Sequence, residues 1–168
     1  MLIRPEETGD IDRVWKINAQ AFETEAEAKL VDELRESCKP YISLVAEVDA
    51  ELVGHILFTP VELAGEGSGL KLVGLGPMAI MPAFQNKGIG SQLVRQGLEE
   101  CLRQGCDGVV VLGHPGYYPR FGFVPSVRYG IKSEYEVPDE VFMIIELKKN
   151  SLKGRSGIIK YNAAFGNV

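Results

Sequence analysis

A single α/β domain, with a mixed sheet flanked by helices, is the fold the sequence predicts, and three observations carry that reading. Ile42 to Val48 and Glu51 to Leu63 are strand-like runs parted only by Asp49-Ala50, the pattern of an antiparallel hairpin. An apolar strand from Leu70 to Ile80, a glycine-bearing loop, a helix from Gly88 to about Gln104 and the short apolar run Gly108 to Leu112 form a βαβ crossover. Such a crossover joins two parallel strands and is right-handed. Near the N-terminus, two stretches repeat their apolar residues at helical spacing.

In chain order, Leu2-Ile3-Arg4 is a short strand and Pro5 turns the chain. Thr8 or Asp10 is placed to cap a helix from Ile11 to about Phe22, whose apolar residues are Ile11, Val14, Trp15, Ile17, Ala21 and Phe22. A second helix has Thr24 as cap with Glu27 three residues on, buries Ala28, Leu30, Val31 and Leu34, and is stopped by Pro40. Behind the hairpin, Ala64-Gly65-Glu66-Gly67-Ser68-Gly69 reads as a flexible turn. The next strand carries Gly74, Gly76 and Pro77, and two glycines with a proline inside a strand predict a bulge or the close approach of a ligand or another backbone.

The long helix gathers Ile89, Leu93, Val94, Leu98, Cys101 and Leu102 on one face, with Gly105 as its C-cap. Gly108 to Leu112 has the unbroken apolar character of a strand buried on both faces. Pro115 and Gly122 bracket one short helix. Val124 to Ile131 and Glu140 to Leu147 read as strands, and Lys148 to Val168 as a less regular tail in which Ile158, Ile159 and Tyr161 pack back. The domain is expected over 1–148, with 149–168 as an extension resting on it.

Composition narrows the function. The 168 residues hold 18 Lys+Arg against 23 Asp+Glu, a net charge of -5, and no basic run exceeds Lys148-Lys149. That balance disfavours a nucleic-acid surface and suits cationic or neutral substrates. No apolar run is long enough for a membrane span, and the first residues lack the basic start and apolar core of a signal peptide, so a cytoplasmic protein is expected. Cys38, Cys101 and Cys106 are odd in number without CxxC spacing, which argues for reduced thiols over a disulfide framework or a metal site.

The stretch with chemical content is GLGPMAIMPAFQNKGIG, Gly74 to Gly90. Its strand is stopped by Met81-Pro82, and the loop enters a helix at Gly88-Ile89-Gly90. Unpaired N–H groups at the positive end of a helix favour a phosphate or pyrophosphate, and glycine leaves room for close approach. A Walker-type loop is excluded, since no glycine is followed, with four residues between, by Gly-Lys-Ser/Thr. Gly74-x-Gly76-x-x-Ala79 matches the dinucleotide fingerprint formally but lies within a strand and is followed by Met81-Pro82 instead of a helix. A serine-hydrolase reading fails for want of a G-x-S-x-G elbow.

The remaining pattern, Gln85-x-x-Gly88-x-Gly90 behind an apolar strand, resembles the acetyl-CoA pyrophosphate loop of the GNAT superfamily of N-acetyltransferases. A second motif follows in that family's order: Tyr118-Pro119-Arg120-Phe121-Gly122-Phe123 matches the Tyr-x-x-x-Gly-Phe spacing found after the second parallel strand, about 27 residues on from Gly90 to Tyr117. The resemblance covers about Leu2 to Leu147.

It implies a mostly antiparallel sheet of about six to seven strands, with one parallel pair splayed at the coenzyme site. It implies acetyl-CoA as cosubstrate, bound by Met78, Ala79, Ile80, Gln85, Asn86, Lys87, Gly88, Ile89, Gly90 and Ser91, with Tyr117 and Arg120 as further contacts. The reaction implied is acetyl transfer to a primary amine of a small molecule or peptide, without a metal. Tyr118 would be the general acid, and His55, Glu62, His114 and Glu47 are candidates for the base that takes the amine's proton. Two alternatives stay open: a non-catalytic acetyl-CoA sensor on the same fold, and a nucleotide-binding regulatory module using the same loop. The acceptor's identity and the oligomeric state, a homodimer among the options, are left undetermined.

Overall fold

The computed structural model describes residues 1–65 and 69–167. Its elements in order are β1 (Leu2–Pro5), α1 (Ile11–Ala21), α2 (Ala26–Ser37), β2 (Ile42–Val48), β3 (Glu51–Gly65), β4 (Leu72–Ile80), α3 (Ile89–Arg103), β5 (Gly108–Leu112), β6 (Val124–Pro125), β7 (Ile131–Ser133), β8 (Phe142–Glu146) and β9 (Gly157–Lys160). The hydrogen-bonded strand order is β1-β2-β3-β4-β5-β8-β6, while β9 pairs with β3 and β7. The sheet is mixed and mostly antiparallel, as expected. Among the described residues, seven strands form the main path, and β7 and β9 add a second parallel pair beside β4–β5.

Two compact units divide the chain. The first comprises Met1–Thr59, Gly76–Gly97 and the segment from Ala163. Its hairpin turn has Asp49 and Ala50 at φ +51° and +63°, the pair of positive values a two-residue β-hairpin turn requires. The caps read from sequence take a modified form. Thr24 Oγ1 accepts from the Ala26 N–H at 3.2 Å, and Asp10 closes a short 3₁₀ turn before α1 by accepting from the Glu7 N–H at 2.8 Å. Val14 and Ile17 of α1, Leu30, Val31 and Leu34 of α2, Val45 of β2 and Leu52 and Leu57 of β3 share one core, which Ala164 also joins. Gly54 lies against Ile80, Leu93 and Ala46, each 3.0–3.3 Å from the place of a missing Cβ, so this glycine lets β3 and α3 approach.

The second unit comprises Pro60–Leu75 and Leu98–Asn162. Here β4 and β5 pair in parallel over Leu72↔Gly108, Val73↔Val109 and Gly74↔Val110, where their ladder stops although both strands run on. Gly76, two residues beyond, has φ +140°, a conformation that favours glycine. β5 also pairs with β8 along its whole length. The core gathers Val61, Leu72, Val110, Ile131, Phe142, Ile144, Leu152 and Ile159.

Several expectations change here. Val124 to Ile131 is no continuous strand: β6 is two residues long, a 3₁₀ helix covers Ser126–Tyr129, and Gly130 at φ +73° turns the chain into β7. Pro125 has no N–H to offer a ladder, and the buried Ser126 hydroxyl donates to the Ile131 carbonyl at 2.7 Å, stabilising the turn. Glu140 to Leu147 shortens to β8 because Asp139–Val141 forms a 3₁₀ turn. Ile158 and Ile159 belong to β9, with Ile159 buried and Ile158 exposed, and the Tyr161 ring packs against Gly74. The glycine-rich turn expected over Ala64 to Gly69 falls partly outside the described residues, at 66–68. Among those described, no helix is long and apolar enough to cross a membrane.

Candidate active site

The first cluster of expected site residues lies in the first unit, from the end of β4 through the start of α3. Ala79 is buried and Met78 and Ile80 are half-buried. The Met81 N–H donates to the Val53 carbonyl at 2.8 Å, and Pro82–Phe84 then makes one 3₁₀ turn. The Gln85 side-chain amide reaches back to the Ile80 carbonyl at 3.0 Å and closes the loop on itself. Asn86 and Gly88 follow at φ +61° and +84°. Such left-handed residues reverse the chain within a few positions.

Gln85, Asn86, Lys87 and Gly88 are exposed, Ile89 is buried and anchors the helix, and Gly90 and Ser91 are half-buried. Helical pairing begins with the Gln92 N–H on the Gly88 carbonyl at 3.2 Å. The N–H groups from Asn86 to Gly90 donate to no other group among the described residues. A Cβ on Gly88 would meet nothing within 4 Å, so the space beside this residue is open. The Lys87 ammonium lies 5.6 Å from the Phe84 ring centroid, leaving a cation at the loop's rim. Exposed N–H groups, a helix start and a nearby cation suit a pyrophosphate.

The second cluster lies in the second unit, after β5. His114 is exposed, and its Nδ1 accepts from the Gly116 N–H at 2.9 Å. The expected helix proves to be a 3₁₀ turn over Tyr118–Phe121, ended by Gly122 at φ +105°. Tyr118 is buried among aromatic rings, with centroids of Tyr117, Phe123 and Phe121 at 5.0, 5.7 and 6.3 Å. Burial, with a smaller contribution from Tyr117, pushes the Tyr118 phenol up to about 12. It therefore holds its proton at neutral pH, as an acid must. Arg120 stacks on the Tyr117 ring at 4.6 Å while its Nε donates to the Tyr117 carbonyl at 3.0 Å.

The base candidates fare differently. His55 is fully buried on β3, with Nδ1 3.1 Å from Asn18 Nδ2 and Nε2 2.9 Å from Ser43 Oγ. Burial, and secondarily the charge of Arg35, lowers it to about 3. A ring with both nitrogens engaged, no exposure and so low an affinity for protons is a structural residue that ties α1, β2 and β3 together, and this corrects its candidacy as a base. Glu47 is held 3.6 Å from Arg4. Glu62 is exposed on β3 opposite Lys160 of β9, and His114 is exposed as well.

Asn18 and Ser43 take part in these arrangements without having been singled out from the sequence. His55 and Ser43 share a hairpin register two positions apart, since Ser43 faces Leu57 and Val45 faces His55, so the hairpin itself carried a signal for that contact. Nothing in the spacing pointed to Asn18.

A mixed sheet with a β4–β5 parallel pair, an anion-suited loop at the start of α3 and a protonated tyrosine after β5 define an acyltransferase-type fold. Residues 11–123 match the model of the acetyltransferase (GNAT) family. The N-acetyltransferase YhbS of Escherichia coli K12 is 34% identical over 166 residues, covering 98% of each chain. YjhQ, a second N-acetyltransferase of that strain, is 39% identical over 134 residues, covering 78% of this chain and 74% of its own. The crystal structure of Escherichia coli YhbS in complex with CoA superposes with a TM-score of 0.91 at 33% identity, over 98% of this chain and 91% of that one. A Brucella melitensis GNAT acetyltransferase in complex with acetyl-CoA gives 0.78 at 32% identity, over 98% and 97%. The chain belongs to the GNAT family of N-acetyltransferases.

Proposed function

We propose that the chain transfers the acetyl group of acetyl-CoA to a primary amine of a small molecule or peptide by direct attack. The observation that carries this reading is the run of unpaired N–H groups from Asn86 to Gly90 at the head of α3, in a chain whose relatives have been crystallised with CoA and acetyl-CoA. Acetyl-CoA supplies an activated acyl group. The loop holds its pyrophosphate with Gln85 to Ser91, and Met78, Ala79 and Ile80 offer strand backbone to its pantetheine arm. Tyr118 donates a proton to the departing thiolate, a role supported by its family spacing and by the burial that keeps it protonated.

The acceptor must be neutral to attack, whereas a free alkylammonium has a pKa of about 10.4. Exposed Glu62 or His114, or solvent beside them, takes that proton. The net charge of -5 favours a cationic acceptor over nucleic acid, and three buried free thiols are in keeping with a cytoplasmic setting. Acetyl-CoA turnover against a panel of amines, polyamines, amino acids and peptides, with product mass measured, tests the proposal. CoA release with a product 42 Da heavier than one acceptor, at a rate rising with pH, is the expected result. CoA binding with no turnover across the panel would assign the chain to a sensor role instead.

A further inference from the structure

We propose that the second unit holds a binding site for a phosphate-bearing small molecule, set apart from the reaction. Arg128, Lys153 and Arg155, with Gly154, Ser156 and Glu146, line a cavity of about 620 Å³ there. That volume falls within the roughly 300–1,000 Å³ of small-molecule sites.

Charge argues for an anion. Three cations meet a single carboxylate, and that carboxylate is already engaged: the Glu146 oxygens accept the Asn150 and Leu152 N–H groups, each at 3.1 Å. These two bonds hold the 148–155 turn against β8, so Glu146 serves the turn's geometry. Arg128 and Lys153 form no ion pair among the described residues. In a chain of net charge -5, three cations around one cavity concentrate positive potential locally.

The shape is permissive as well. Gly154 is exposed at φ +74°, with nothing within 4 Å of where a Cβ would be, so backbone borders the cavity without a side chain in the way. The fork of an arginine matches phosphate oxygens in pairs, and lysine adds a point charge.

The site lies away from Tyr118 within this unit. Glu146 pairs with Gly108 at the first position of β5, while Tyr118 follows β5 past its last residue, Leu112. An anion here therefore binds at the opposite end of that strand, and the proposal is independent of the reaction assigned above.

Backbone NMR of the full chain saturated with CoA tests it, since the coenzyme then occupies any phosphate site at the Gln85 to Gly90 loop. Inorganic phosphate and glucose 6-phosphate should each produce saturable shifts at Gly154 and Ser156, with the sugar phosphate binding more tightly. Arg128→Ala and Lys153→Ala should each weaken binding by roughly tenfold, as the loss of one charge-assisted contact predicts. Lys132→Ala, on another cavity of the unit, should leave it unchanged. Shifts that stay linear in concentration, that survive both cation replacements, or that appear only with an oligonucleotide overturn the proposal, the last by reassigning the patch to a polyanion.

Discussion

The Tyr118 ring occupies the space where a side chain on residue 113 would lie, so Gly113 and Tyr118 fit together only while position 113 is glycine. Placement of the proposed acid thus depends on a residue that has no side chain. Tyr118→Phe is expected to lower kcat at least about tenfold with CoA affinity nearly unchanged, because positioned acid catalysis contributes about 10²- to 10⁴-fold. Gly113→Ala should lower kcat in the same direction by displacing the ring, and Tyr117→Phe should do little. Steady-state kinetics on the three variants decides the matter: loss of activity in Tyr117→Phe beside a fully active Tyr118→Phe moves the role to the neighbour.

Gly88→Val addresses the loop. Its φ of +84° disfavours a β-branched residue, and the added side chain projects into the open space beside the loop. CoA affinity measured by calorimetry should fall more than about tenfold, while circular dichroism stays that of the parent. A folded Gly88→Val that binds CoA as tightly as the parent removes the pyrophosphate from this loop.

His55 makes stability depend on pH. Its folded pKa of about 3 lies below the ordinary 6.5, so below 6.5 the unfolded chain takes a proton that the folded chain refuses. The stabilisation is whole above pH 6.5 and is progressively lost as pH falls toward 3. The slope approaches about 1.4 kcal/mol per pH unit at its steepest. Urea titrations between pH 7 and 5 should show this loss, and His55→Gln should flatten it in that range, where few carboxylates titrate. An unchanged slope in the variant would assign the acid sensitivity to other groups.

Gly97 on α3 is expected to tolerate no side chain, because a Cβ there would enter the ring of buried Phe58. Gly97→Ala should cost about 1–3 kcal/mol as the ring is forced to move. For a chain of this length the melting temperature should drop by about 2–4 °C per kcal/mol, measurable by calorimetry. Restoration of stability by a further Phe58→Leu would identify this contact as the cause.

Local signals in the sequence determined most of the framework. The Asp49-Ala50 break, the periodicity of α1, α2 and α3 and the apolar run of β5 each rest on a few consecutive residues, and all appear within a few positions of where the pattern put them. The anion-suited loop was legible for the same reason, since Met81-Pro82 ends a strand and Gly88-x-Gly90 opens a helix whatever lies around them. The tail was less so: β9 is four residues long and owes its existence to ladders with β3 and β7, partners remote in sequence. Tertiary structure alone decided the fate of single polar side chains. Nothing local told that His55 would meet Asn18 in a dry interior while Glu62 stayed in solvent. Backbone conformation follows from neighbours in sequence, whereas burial, and with it the affinity of a side chain for protons, is set by whichever distant segments fold over it.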